Sequence, residues 1–134
     1  MPLRKRDVRK FGFDFHGCID THDAVQPFMN FLVNCGHEVH ILSGPPMNEL
    51  KKKLNRQTMR KGVDYTHLFS IVDYLKLVNE PSLRQDGQGK WWADEREWWR
   101  TKGIYCLQHN IDFLFDDTAM YEPFVFPSTK FILI

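Results

Sequence analysis

Short β-type runs alternate with helical stretches along this chain, and that alternation leaves few folds open to it. Residues 10–15 (KFGFDF) place Phe11, Phe13 and Phe15 at period two, which predicts a strand ending in a turn that contains Gly17. Residues 23–35 carry Val25, Phe28, Leu32 and Cys35 at helical spacing, and Gly36 follows as a stop. Residues 38–42 (EVHIL) predict a second strand, broken by Ser43-Gly44-Pro45-Pro46. Met47, Leu50 and Leu54 then share one face of a helix that Gly62 is expected to close. Residues 68–72 (LFSIV) and 111–115 (IDFLF) predict a third and a fourth strand. The fourth is entered from a helix over about 94–109 with a capping pair at Asp94 and Glu97. Residues 131–134, beyond Pro127, make a fifth. Strands joined by helices in this way run parallel, with crossovers on both faces. The expected fold class is therefore α/β: a three-layer α/β/α, Rossmann-like domain with a central, mostly parallel sheet.

One stretch interrupts the alternation. Residues 73–93 hold Pro81, Gly87 and Gly89 among many polar residues and finish on Trp91-Trp92. A loop of that length inside a compact domain is usually functional, so it is expected to lie over the carboxyl ends of the strands. With 134 residues, 43% of them hydrophobic, the chain is expected to form one domain over 1–134.

Composition narrows the partners. Lysine and arginine number 18 against 17 acids, a net charge of +1, so no overall field calls for nucleic acid or an anionic membrane. The basic run Arg4, Lys5, Arg6, Arg9 and Lys10 is read as a solvated end. The longest apolar runs are far short of the ~20 residues of a membrane span, and no signal-length apolar segment accompanies the basic run. Cys18, Cys35 and Cys106 are odd in number and widely spaced, which fits neither a disulfide framework nor a structural zinc site. A reducing, cytoplasmic setting is expected. His22, His37, His40, His67 and His109 show no metal-ligand spacing on one helix and are read as structural. Trp98 and Trp99 are read as packing residues, as are Trp91 and Trp92, although the latter pair could also stack on a base.

In an open parallel sheet, ligands bind beyond the carboxyl ends of the strands, and here those ends are polar. The first ends Asp14-Phe15-His16-Gly17, the second Ser43-Gly44, and the fourth Asp116-Asp117-Thr118. Taken singly, each is an ordinary turn or helix-start residue. Taken together, two acidic ends on one edge repel unless a cation lies between them, and hard oxygen donors suit Mg2+. A hydroxyl and a lysine beside them would complete an anion site.

This set resembles the haloacid dehalogenase superfamily. The first motif of that family, Asp-x-Asp-Gly-Thr, is matched by Asp14-Phe15-His16-Gly17-Cys18; its Ser or Thr by Ser43; its lysine by Lys102; its acidic pair by Asp116-Asp117. A closer likeness is to small members, common in bacteria and phages, that read Asp-Phe-His-Gly and carry a Tyr shortly after the last acidic pair, as in Asp116 to Tyr121. The resemblance implies a capless, Mg2+-dependent phosphohydrolase. Asp14 would form an aspartyl-phosphate, and Asp14, the His16 carbonyl, Asp116 and Asp117 would hold the metal. Ser43 and Gly44 would receive the phosphate, and Lys102, favoured over Lys90 in the loop, would pair with it. Lys51, Lys52 and Lys53 are read as too far along their own helix.

The departure from the family is His16, which stands where phosphatases carry the acid/base Asp. An imidazole can serve as general acid, and the site with Mg2+ then sums to a balanced charge. The resemblance therefore leaves three readings: a phosphohydrolase, a phosphate- and metal-binding module with little or no turnover, and a nucleotide or nucleic-acid end phosphatase. The implied partners are a small phosphorylated substrate, a nucleotide among the candidates, and a second copy of the chain where oligomerisation closes the open site.

Overall fold

The computed structural model describes residues 7–134, so Arg4, Lys5 and Arg6 of the basic run lie outside the described residues. Its strands are β1 (Lys10–Phe13), β2 (Glu38–Ser43), β3 (His67–Ser70), β4 (Arg84–Gln85), β5 (Trp91–Trp92), β6 (Phe113–Asp116) and β7 (Lys130–Leu133). The helices are α1 (Val25–Asn34), α2 (Met47–Arg56), α3 (Ile71–Leu77) and α4 (Glu95–Gln108). Five strands form one sheet in the order β3-β2-β1-β6-β7, and every neighbouring pair is parallel. Among the described residues no helix is long and apolar enough to cross a membrane.

Strand alternation explains the layering. Phe13, Val39 and Ile41 pack on one face against Met29 and Leu32 of α1 and Leu50 and Leu54 of α2. Leu42 and Leu114 pack on the other against Tyr105 and Cys106 of α4, and Ile71 and Leu75 of α3 join Trp98, Trp99 and Tyr121 beside them. The result is the expected three-layer, Rossmann-like arrangement. The parallel register pairs Phe11 with Phe113 and Phe13 with Phe115, and the rings stack at 5.4 and 4.8 Å. Phe28 of α1 meets Phe11, Phe13 and Phe115 edge-on. These aromatic contacts fix the alignment of β1 and β6, the two strands from which Asp14 and Asp116 emerge.

Several expected boundaries move, each for a local reason. The third strand stops at Ser70, and Ile71 and Val72 open α3 because the Ser70 hydroxyl caps it by accepting from the Asp73 amide at 3.1 Å. Helix α2 ends at Arg56 and not near Gly62, as Thr58 takes a left-handed φ of 55° and the Met59 amide bonds back to Leu54. The fourth strand begins at Phe113, leaving Ile111 buried in the preceding turn. Asp94 caps α4 as expected, whereas Glu97 pairs with Arg100 at 3.0 Å. Residues 73–93 are not a loop throughout. They finish α3 and then form a hairpin in which Arg84 faces Trp92 and Gln85 faces Trp91, knotted by Asp86, which accepts from Gln88, Lys90 and the Trp92 indole.

Gly103 sits where α4 crosses residues 119–124. A β-carbon placed there would lie 2.1 Å from the Phe124 carbonyl oxygen, a backbone atom that cannot swing aside. Gly103→Ala is therefore expected to lower stability by about 1–3 kcal/mol through overpacking, with the displaced helix carrying its neighbour Lys102 along. Chemical denaturation measures the loss; a wild-type midpoint would mean that this crossing is loose.

Candidate functional site

The chain steps outward from β1 to β2 and β3, then returns to place β6 on the other side of β1. That reversal is the switch point at which open parallel sheets bind ligands. Beyond it opens a cleft of about 480 Å³, lined by Asp14, His16, Ser43, Gly44, Asp117 and Thr118 on the sheet side and by aromatic residues across from them. The strand order was not legible in the sequence, yet it brings together the strand ends singled out there.

Asp14 and Asp116 are buried, and a wholly buried Lys102 joins them: its Nζ donates to Asp14 Oδ1 at 2.9 Å and to Asp116 Oδ2 at 2.6 Å. The ammonium also stands 4.2 Å over the Tyr121 ring. Asp116 Oδ1 accepts from the Thr118 amide at 3.0 Å, and the Thr118 hydroxyl meets Asp117 Oδ1 at 3.1 Å. Gly17 has a φ of 77°, and a β-carbon there would fall 1.9 Å from Asp117 Oδ2, so only glycine lets the first turn close on the acidic pair.

The electrostatics follow from this crowding. Burial pushes Asp14 up to about 7, with Lys102 pulling against it and Asp116 and Asp117 adding to it. Asp116 is also raised, chiefly by burial and against Lys102. For Lys102, burial opposes the charge, but Tyr121, Asp14 and Asp116 outweigh it and hold the ammonium above the usual lysine range. Cys18, behind Asp14, is driven up to about 12 by burial and then by Asp14, which makes it an inert thiol.

Asp14, Asp116 and Asp117 each offer a carboxylate oxygen within 4.8 Å of the others. Three acids with one lysine among them carry a surplus of negative charge. An all-oxygen donor set of this kind fits a hard divalent cation such as Mg2+. Ser43 adds a second feature that fits an anion beside the cation. Its hydroxyl is buried in the cleft wall and, among the described residues, has no hydrogen-bond partner. Gly44 beside it leaves room for the Trp98 ring, which a β-carbon would approach to 2.8 Å.

His16 is arranged differently from what its position suggested. Its Nε2 lies 2.7 Å from the Lys53 ammonium, which can only donate, and its Nδ1 lies 3.0 Å from Asp20 Oδ2. Nε2 thus accepts from Lys53, and Nδ1 faces the Asp20 carboxylate. Lys53 itself lines the cleft together with Glu49, one helical turn earlier on α2. The sequence reading placed Lys53 out of reach; the spacing from Glu49 to Lys53 on a helix that begins just past Ser43 was the available signal. Lys90 lines the cleft as well, with its ammonium 4.5 Å over Trp92. Trp98 and Trp99 pack against the core, Trp91 lies under the Lys76 ammonium at 4.3 Å, and the three form the aromatic wall of the cleft.

Comparisons of the chain with family models, with curated proteins and with solved structures find no match.

Proposed function

We propose that the chain is a capless, Mg2+-dependent phosphohydrolase of the haloacid dehalogenase type, acting in the cytoplasm on a small phosphorylated substrate. The single observation that carries this reading is the Asp14–Lys102–Asp116 bridge at the switch point, whose Asp14 shares the cleft with a Ser43 hydroxyl that has no hydrogen-bond partner among the described residues. Asp14, Asp116, Asp117 and the His16 carbonyl would hold the cation, which would neutralise charge on the transferring phosphoryl group.

The protein groups divide the remaining work. Ser43 donates to a phosphoryl oxygen, and Lys102, bridging Asp14 and Asp116, aims the Asp14 carboxylate. An Asp14 carboxylate oxygen attacks phosphorus, and the bond from phosphorus to the leaving oxygen breaks as that oxygen takes a proton from the Lys53–His16 pair. Water then attacks the aspartyl-phosphate and gives its proton back to the pair. Phosphate departs and Asp14 is restored as a carboxylate. Hydrolysis of p-nitrophenyl phosphate with and without Mg2+ tests this reading. Activity that needs Mg2+ supports it, and no turnover with any phosphate ester removes it.

Acid–base linkage adds a quantitative expectation. The metal-free fold keeps a proton on Asp14 that the unfolded chain has released, since its folded value of about 7 exceeds the ordinary 3.8. The contribution of this group to stability therefore falls as pH rises through that window. A cation must displace the same proton, so Mg2+ affinity is expected to climb across the window and level off above it. Calorimetry in buffers of different ionisation enthalpy should detect the released proton; pH-independent binding would place the ion away from Asp14.

A second reading has its own observation. His16 is already tied to Asp20 and Lys53, an arrangement that suits holding a phosphate as well as releasing it. In a phosphate-binding module, His16→Asp would create the turnover that wild type lacks. In the phosphohydrolase, His16→Ala lowers the rate with an alkyl phosphate by about 10- to 10³-fold, and less with an aryl phosphate.

A further inference from the structure

At the opposite end of the strands from the acidic cleft, the sheet gathers a second cluster. Glu38 and His40 stand two residues apart on β2 and so face the same side, and the parallel register sets His67 of β3 directly beside His40. His40 Nε2 lies 2.9 Å from Glu38 Oε1, and the His40 and His67 rings stack at 4.2 Å. One donor atom from each of the three lies within 4.8 Å of the others.

We propose that Glu38, His40 and His67 form a second metal site, one for a borderline transition-metal cation of the zinc type.

The donor set argues for that class of ion. Two imidazoles and one carboxylate are ligands that Zn2+ takes when it keeps an open position, whereas Mg2+ prefers oxygen alone. The outer contacts are those a metal site needs. The Tyr105 hydroxyl meets His40 Nδ1 at 2.6 Å and the Thr66 hydroxyl meets His67 Nδ1 at 2.8 Å, so each ring is steadied through Nδ1; His40 Nε2, hydrogen-bonded to Glu38, would give up that bond and its proton on taking the ion. Burial draws His40 down to about 4 against the pull of Glu38, with His67 and His109 acting in the same direction as burial, so the ring is neutral at physiological pH.

Access and adjustment are available without opening the core. His40 is buried, but His67 and the neighbouring His109 are exposed and Glu38 is half-buried. Parallel rings aim their nitrogens side by side, so closing on one ion requires the exposed His67 ring to turn out of its stack. Lys10, 3.8 Å from the other Glu38 oxygen, would yield part of its ion pair to the metal. Helical spacing does not reveal these ligands, which come from alternate positions of one strand and a register neighbour on the next.

The test is a titration of Co2+, an optically visible stand-in for Zn2+, into the full chain with Mg2+ in excess at the acidic cleft. One ion is expected to bind with visible d–d absorbance and to shift the imidazole NMR signals of His40 and His67. Glu38→Gln and His67→Ala, both away from the core, should each weaken it by at least about ten-fold, the scale on which even an outer contact such as Tyr105→Phe acts. Asp117→Asn should leave it unchanged. The proposal is overturned if no ion binds under Mg2+ excess, if neither variant changes the affinity, or if Asp117→Asn is the substitution that abolishes binding.

Discussion

Asp14→Asn is expected to lower turnover of a phosphate ester by at least about 10³-fold while leaving the fold intact, because an amide oxygen cannot carry the phosphoryl group that a carboxylate can. The two halves of that result belong together. Asp14 is buried beside Asp116 and Asp117, and burial already raises it toward its neutral form, so a neutral isostere relieves repulsion. The metal-free variant should melt no lower than wild type, and Lys102 retains Asp116 as its partner at 2.6 Å. Steady-state rates and thermal melts on one preparation check both. A rate within about ten-fold of wild type would take Asp14 out of the chemistry, since removal of a nucleophile ordinarily costs far more.

Lys102→Met carries the second large effect, and it falls on stability. The lysine is 1% exposed and holds two carboxylates on strands that the chain joins from distant segments. Methionine fills much of the volume but leaves those carboxylates facing each other in a dry site, a loss of about 3–5 kcal/mol. The sign of the pH dependence identifies the cause. Both acids would then sit further above their unfolded values, so the deficit grows as pH rises and shrinks as they take up protons. Mg2+ should restore part of the loss by standing in for the ammonium. Urea denaturation at several pH values decides the matter: a deficit that ignores pH and Mg2+ would mean that Lys102 acts through packing alone.

The residues of the site were legible because strand ends announce themselves chemically. Asp14, Ser43 and Asp116 each follow a run of alternating or continuous apolar residues; the structure carries Asp14 and Ser43 to one cleft and ties Asp116 to Asp14 through Lys102. Lys102 came from the family resemblance, which sets a lysine on the helix feeding the fourth strand, and α4 does bring its ammonium to Asp14 and Asp116. What escaped was whatever depended on tertiary register. The strand order that places β6 beside β1 leaves no trace in local spacing. Ser70 reads as one more residue of an apolar run until its spacing to Asp73 is recognised as a helix cap. Lys53 and the Glu38–His40–His67 cluster were missed for a related reason. A side chain on one element was judged by its own neighbours in sequence, whereas its partners arrive from another element.

The central claim is that Asp14 accepts a phosphoryl group in a site completed by Mg2+, and fluoroberyllate, which mimics a phosphoryl group on a carboxylate, measures it most directly. Fluorine NMR of the full chain with fluoroberyllate should show protein-bound resonances that appear only when Mg2+ is present and vanish in Asp14→Asn. Bound resonances that persist in Asp14→Asn, or none at all in wild type with saturating Mg2+, would contradict the account.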